Sequence, residues 1–125
     1  MPVPTITKAT VWEDCGAAFL IHVVGNDAAD ITQASITGIT CKVFDSSGTS
    51  VATPSIDKST SVKDTLQTDA RWTEDSTGYN FIHDMPDTVF TTGGEYYTVE
   101  YKFDPLTGED FCKTFEVYAK ALLGS

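Results

Sequence analysis

Histidine is nearly missing from this 125-residue chain, with only His22 and His83. That leaves few ways to assemble a nucleophile, a base and an orienting group. His22 sits in an apolar run and reads as a satisfied or edge-facing side chain. His83, before Asp84, reads as a surface residue. Neither Gly-x-Ser-x-Gly nor His-Glu-x-x-His is present. Basic residues are also scarce, with 8 Lys and Arg against 18 Asp and Glu and a formal charge of −10. Phosphate backbones and anionic lipid need clustered cations, so nucleic acid and membrane are excluded as expected partners. The acidity serves solubility, or else it meets a cation or a basic partner.

The 3 cysteines, Cys15, Cys41 and Cys112, cannot form a closed disulfide set, and no Cys-x-x-Cys spacing suggests zinc. Cys41 alternates with the apolar side of its segment and Cys112 with the wet side. Both suit synthesis in a reducing place such as a bacterial cytoplasm. Met1-Pro2-Val3-Pro4 lacks the basic start and apolar core of a secretory leader. The longest apolar run, Ala17 to Val24, is too short to span a bilayer.

What is present is alternation. Tyr97, Val99, Tyr101 and Phe103 share one face of a strand, and Phe111, Phe115 and Val117 share one face of the next. Glu100, Lys102, Lys113 and Glu116 are expected opposite them. Asp104-Pro105-Leu106-Thr107-Gly108-Glu109-Asp110 turns between the two, so the pair reads as a long antiparallel hairpin. Upstream, Ile6 to Trp12 reads as a first strand and Ala17 to Val24 as a buried central one. Asp27 to Thr37 reads as a polar connection that tucks Ile31 and Ile36 inward. Ile39 to Phe44 reads as a strand closed by a type I turn at Asp45-Ser46-Ser47-Gly48, with Val51 opening its partner.

Thr53 to Asp69 reads as an exposed strand or long loop. Ala70 to Thr73 leads into a turn over Glu74 to Gly78, and strand resumes at Tyr79 to His83. Val89 and Phe90 anchor a crossing. Turn signals at short intervals and no long helix predict one all-β domain, an antiparallel immunoglobulin-like sandwich of about seven to eight strands.

Chemistry is sparse. Asp104, Glu109 and Asp110 lie close enough to suggest paired carboxylates, but acids in a hairpin turn are ordinary turn formers. No EF-hand pattern is present, and Gly93-Gly94 precedes no phosphate-cradling helix. No catalytic residue, cofactor or metal ligand is therefore expected. The candidate contact residues are Trp12, Trp72 and Tyr96, aromatics able to stack on a sugar or plug into a protein, with the two tryptophans alternatively capping the core. Leu122 and Leu123 join them, because an apolar tail after the last strand suits a neighbouring subunit.

Ala17 to Val24, the run Ile36-Thr37-Gly38-Ile39-Thr40-Cys41-Lys42-Val43-Phe44-Asp45-Ser46-Ser47-Gly48, the step Gly78-Tyr79-Asn80-Phe81 and the run Gly94 to Tyr101 together carry a likeness. In these the chain resembles the small β-sandwich proteins of tailed bacteriophages, including upper-baseplate N-terminal modules and capsid or tail decoration proteins. The resemblance implies a non-enzymatic virion component made in the host cytoplasm, contacting other virion proteins as a homo-oligomer or symmetric array. It brings no active-site residues. The alternative is a carbohydrate- or cell-surface-binding module with an aromatic platform, marked by Trp12 and Trp72 on one flat face.

Overall fold

The structure, a computed structural model, describes residues 6–25, 28–70, 72 and 76–123, with the backbone alone at 6–8. The expected turn over 74–78 and the lead-in at Arg71 and Thr73 fall largely outside those residues. The strands are β1 (Ile6–Trp12), β2 (Ala17–Ile21), β3 (Ile36–Phe44), β4 (Ser50–Ala52), β5 (Val62–Gln67), β6 (Tyr79–Met85), β7 (Glu95–Pro105) and β8 (Phe111–Lys120). They form a five-stranded sheet, β1-β8-β7-β3-β4, and a three-stranded sheet, β2-β6-β5. This is the β-sandwich that the alternation predicted. The facing groups β8-β7-β3-β4 and β2-β6-β5 follow immunoglobulin-like strand order.

The long hairpin forms as predicted, and its register sets Phe103 opposite Phe111 and Tyr97 opposite Val117. Its inward row of Tyr97, Val99, Tyr101 and Phe103 is buried. Each such side chain contributes about 1.5–3 kcal/mol by leaving water. Phe81 of the small sheet meets them edge-on, its ring 5.0 Å from Tyr101 and 5.3 Å from Phe103. Tyr97 closes the crossing before β7, where its hydroxyl accepts the Thr92 amide at 3.1 Å and its ring packs on Phe90. That arrangement has the form of the tyrosine corner of immunoglobulin-like sandwiches.

The Asp45 turn forms as expected. Asp45 Oδ1 accepts the amides of Ser47 and Thr49, each at 3.0 Å, and Gly48 takes φ 83°. Those amides, Thr49 first, hold the Asp45 carboxyl below its ordinary value.

Several expectations change. β1 runs parallel to β8, so the sandwich is not wholly antiparallel. β2 is an edge strand and ends at Ile21, because Val23 beyond it gives its amide and carbonyl to the Asn80 side chain. His22 therefore lies just past the strand, where Nε2 is 2.7 Å from Asp30 Oδ1. Lys113 shares the parity of Phe111 and Phe115 and is half-buried, since residues two apart on a strand face the same way.

The middle segment is not a plain loop. Asp57 caps a single helical turn, α1 (Lys58–Ser61), which runs into β5. Lys58 Nζ donates to the carbonyls of Gln33 and Ile36, and Gln33 donates back to those of Ser59 and Val62. Polar side chains rather than an apolar period fasten this segment, which is why no periodicity announced it. Gly78 then enters β6 at φ 103°, where a Cβ would stand 2.4 Å from the Gln67 carbonyl oxygen.

Candidate functional surface

His83 is buried, only 7% exposed, and not on the surface as its flanking Asp84 suggested. It has the inward parity of Phe81 and Met85 on β6, so it enters the space between the sheets. There its Nδ1 lies 2.7 Å from the Tyr101 hydroxyl, and that hydroxyl also contacts the Cys41 thiol. An imidazole, a phenol and a thiol thus converge across β6, β7 and β3. The core has closed over them, and the chemistry follows from that.

Burial pushes the Cys41 thiol up to about 12, even though the Tyr101 contact favours its ionised form. Burial, then the neighbouring Cys41, raises the phenol as well. Desolvation lowers His83, partly offset by the Asp84 charge. All three groups are therefore held neutral, whereas a nucleophile needs its anion and access to substrate. The cluster satisfies its own hydrogen bonds and ties the two sheets together.

The lowered imidazole gives stability a definite pH dependence. An unfolded histidine titrates near 6.5, so below that pH the unfolded chain takes up a proton that native His83 resists. Stability should be unaffected by this group above pH 6.5 and should fall as pH drops through the lowered native value. Urea midpoints between pH 7 and 5 should decline for the parent and flatten for His83→Gln; equal slopes would contradict this. Asp45 and Asp57, both held below the ordinary carboxylate value, act in a lower window, and their contribution is lost only as pH falls below about 3.8.

Outward, the five-stranded sheet presents aromatic side chains to solvent. Tyr96 of β7 is 53% exposed and its ring lies 4.9 Å from that of Tyr118 on β8. Trp12 of β1 is 48% exposed, with Lys120 Nζ 5.0 Å from its ring centroid. Register puts Tyr96, Tyr118 and Thr10 in one row, with Trp12 and Lys120 two residues along. Open depressions of about 650 and 390 Å³ meet at Tyr96. The larger is lined by Phe44, Ser46, Glu100 and Glu116, and the smaller by Thr10, Glu116 and Tyr118. Ser46 donates to Glu95 at the rim.

Of the residues singled out from sequence, Trp12 and Tyr96 therefore share a face. Trp72 does not join them; it is half-buried with its ring 5.7 Å from Tyr79, beside the small sheet. Leu123 is fully exposed, whereas Leu122 is half-buried and its amide donates to Glu13 Oε1 at 2.8 Å. The other Glu13 oxygen accepts the Gly93 amide, so one carboxylate fixes the C-terminal segment beside the start of the last hairpin. Phe44 was missed, and Tyr118 belongs to β8 rather than to an apolar tail after the last strand. Strand parity could have found Tyr118, since it alternates with Val117 and Ala119.

The turn acids Glu109 and Asp110 are exposed, and Asp110 Oδ2 lies 3.5 Å from Lys102 Nζ. Among the described residues no group of three or more His, Cys, Asp or Glu is placed to hold a metal ion, and no helix is long and apolar enough to cross a membrane. Comparison with protein-family models, curated proteins and solved structures gives no significant match.

Proposed function

We propose that this chain is a non-enzymatic structural component of a tailed-bacteriophage particle, attached to neighbouring virion proteins through the outer face of its five-stranded sheet. The observation that carries the attachment is the placement of Trp12, Tyr96 and Tyr118 on one solvent-facing surface, while the convergent His, Tyr and Cys groups are sealed in the core. Exposed aromatics on a rigid sheet supply anchor residues at low entropic cost. The assignment to a phage particle rests on the sequence resemblance in the Ile36 to Gly48 and Gly94 to Tyr101 runs. Repetition on a symmetric particle would make modest contacts sufficient, because valency multiplies them.

Tyr96→Ala combined with Trp12→Ala should leave the denaturation midpoint nearly unchanged, since both side chains are exposed. Incorporation should fall by at least about tenfold, as expected for loss of a contact anchor, read by mass spectrometry of gradient-purified particles. Full incorporation of the double variant would refute the outer-face attachment. The sugar-binding alternative is favoured by the smaller depression beside Tyr96, which Thr10 and Glu116 help to line, and opposed by the separation of Trp72 from Trp12. Retention of the parent, but not the variant, on immobilised host-surface polysaccharide would select it.

A further inference from the structure

We infer that β2 pairs edge to edge, antiparallel, with β2 of a second copy of this chain, joining two three-stranded sheets across a two-fold axis. The inference rests on comparing the edges that no strand covers among the described residues. β4 is only three residues long, and β5 carries Lys63 and Asp64 and loses regular register with β6. β1 carries Lys8 in its sequence and ends at Trp12 beneath Lys120. Short length, charge and irregularity are the devices by which edge strands avoid pairing.

β2 has none of these. Ala17-Ala18-Phe19-Leu20-Ile21 is uncharged and free of proline, and it keeps unbroken register with β6 from Met85 to Phe81. Alternate amide and carbonyl groups of such a strand face away from its one partner. In the immunoglobulin-like plan a further strand can lie on this edge, whereas here β1 joins the opposite sheet beside β8.

A second copy suits the edge because an antiparallel strand is complementary to itself under a two-fold rotation. The register follows from the side chains. Phe19 points into the core, while Ala18 and Leu20 lie on the outer face, where Leu20 is opposite Ile82. A one-residue slip would set core side chains against outer ones. Centring the pair on Phe19 engages all five residues, with Ala18 opposite Leu20 of the other copy. Ile82, Leu20 and the second copy's Ala18 then form one apolar strip. Five residues bury less than the roughly 1,000 Å² of a stable interface, so the free dimer is weak and strengthens in a repeated assembly. This contact adds to the proposed attachment and uses a different surface.

Sedimentation velocity of the full chain, from about 10 µM to 1 mM, should show a concentration-dependent dimer. Ala18→Lys should raise the dissociation constant at least about tenfold without moving the dilute thermal midpoint, because Ala18 is exposed. Adding Leu20→Glu to it should restore the dimer, since each lysine then faces a glutamate of the other copy. A chain that stays monomeric at 1 mM, or a dimer indifferent to Ala18→Lys, overturns the inference. Loss of the dimer in Tyr96→Ala but not in Ala18→Lys also overturns it, and would move self-association to the outer face while leaving the attachment reading intact.

Discussion

Asn80→Ala should destabilise the fold by about 2–3 kcal/mol, although the residue has the outward parity of β6. Asn80 is 1% exposed, and Val23 and Ile31 both lie within hydrogen-bonding reach of its side chain. Its Oδ1 accepts the Val23 amide at 2.7 Å and its Nδ2 donates to the Val23 carbonyl at 2.9 Å. The side chain thereby does for Val23 what a neighbouring strand would do, at the point where the chain leaves β6. Alanine leaves the amide unpaired in the interior, whereas the carbonyl keeps the Ile31 amide at 3.2 Å. One orphaned donor and one lost acceptor contact set the magnitude.

Asn80→Asp separates this account from simple loss of packing. A carboxylate can still accept the Val23 amide, but it faces the Val23 and Ile31 carbonyl oxygens with no proton to give. Its native pKa should rise above the unfolded value near 3.9, so its cost should shrink as pH falls from 7 toward 5. The parent, governed by His83, should move the other way over the same range. Urea denaturation of both variants would decide it. A cost below about 0.5 kcal/mol for alanine, or an aspartate variant that tracks the parent with pH, would defeat the interpretation.

The larger effect belongs to Tyr101, whose replacement by alanine should cost about 4 kcal/mol or more. This ring is fully buried and meets Phe81 at 5.0 Å, Phe115 at 6.1 Å and Phe19 at 6.4 Å. Alanine would open a cavity between the sheets and strip His83 of its hydroxyl partner. Tyr101→Phe keeps the ring and removes only the hydroxyl, so it should cost about 1–2 kcal/mol. For a domain with about 5–15 kcal/mol in total, the first change threatens folding and the second does not. Phenylalanine as damaging as alanine would transfer the dominant role from packing to the His83–Tyr101–Cys41 hydrogen bonds.

These sites also show how legible the chain was. The inward row of the last hairpin could be read directly because one of its faces is buried and the other wet, and a period of two records that difference. The Asp45 turn was equally plain, since its hydrogen bonds run between neighbours in sequence. Lys113 was misread because its charge was allowed to outweigh its parity. His83 was misread for the same reason, as an adjacent Asp84 says nothing about which way the histidine points. The helical turn at Lys58 left no periodic trace, because contacts to Gln33 and Ile36 fasten it.

The outer face was half visible. Tyr96 could be placed from its alternation with Tyr97, but Trp12 had no assignable face, and nothing local brings residue 12 beside residue 120. That neighbourhood exists because β1 crosses to lie parallel to β8, a pairing between the two ends of the chain. Trp72 was a candidate contact on residue type alone, with no face to assign it to, and its contact with Tyr79 takes it away from this surface.

By itself the sequence determined the layered β architecture, the last hairpin with its inward row, the Asp45 turn and the burial of Cys41, all consequences of side-chain alternation or of bonds a few residues long. Tertiary structure alone decided that β1 pairs in parallel, that β2 is an edge, that Asn80 and His83 are interior, and which aromatics share a surface. Those outcomes depend on contacts between residues far apart in the chain, such as Val23 with Asn80 and Thr10 with Tyr118. The free energy that selects them belongs to the pair, and neither residue's neighbours in sequence carry a record of it.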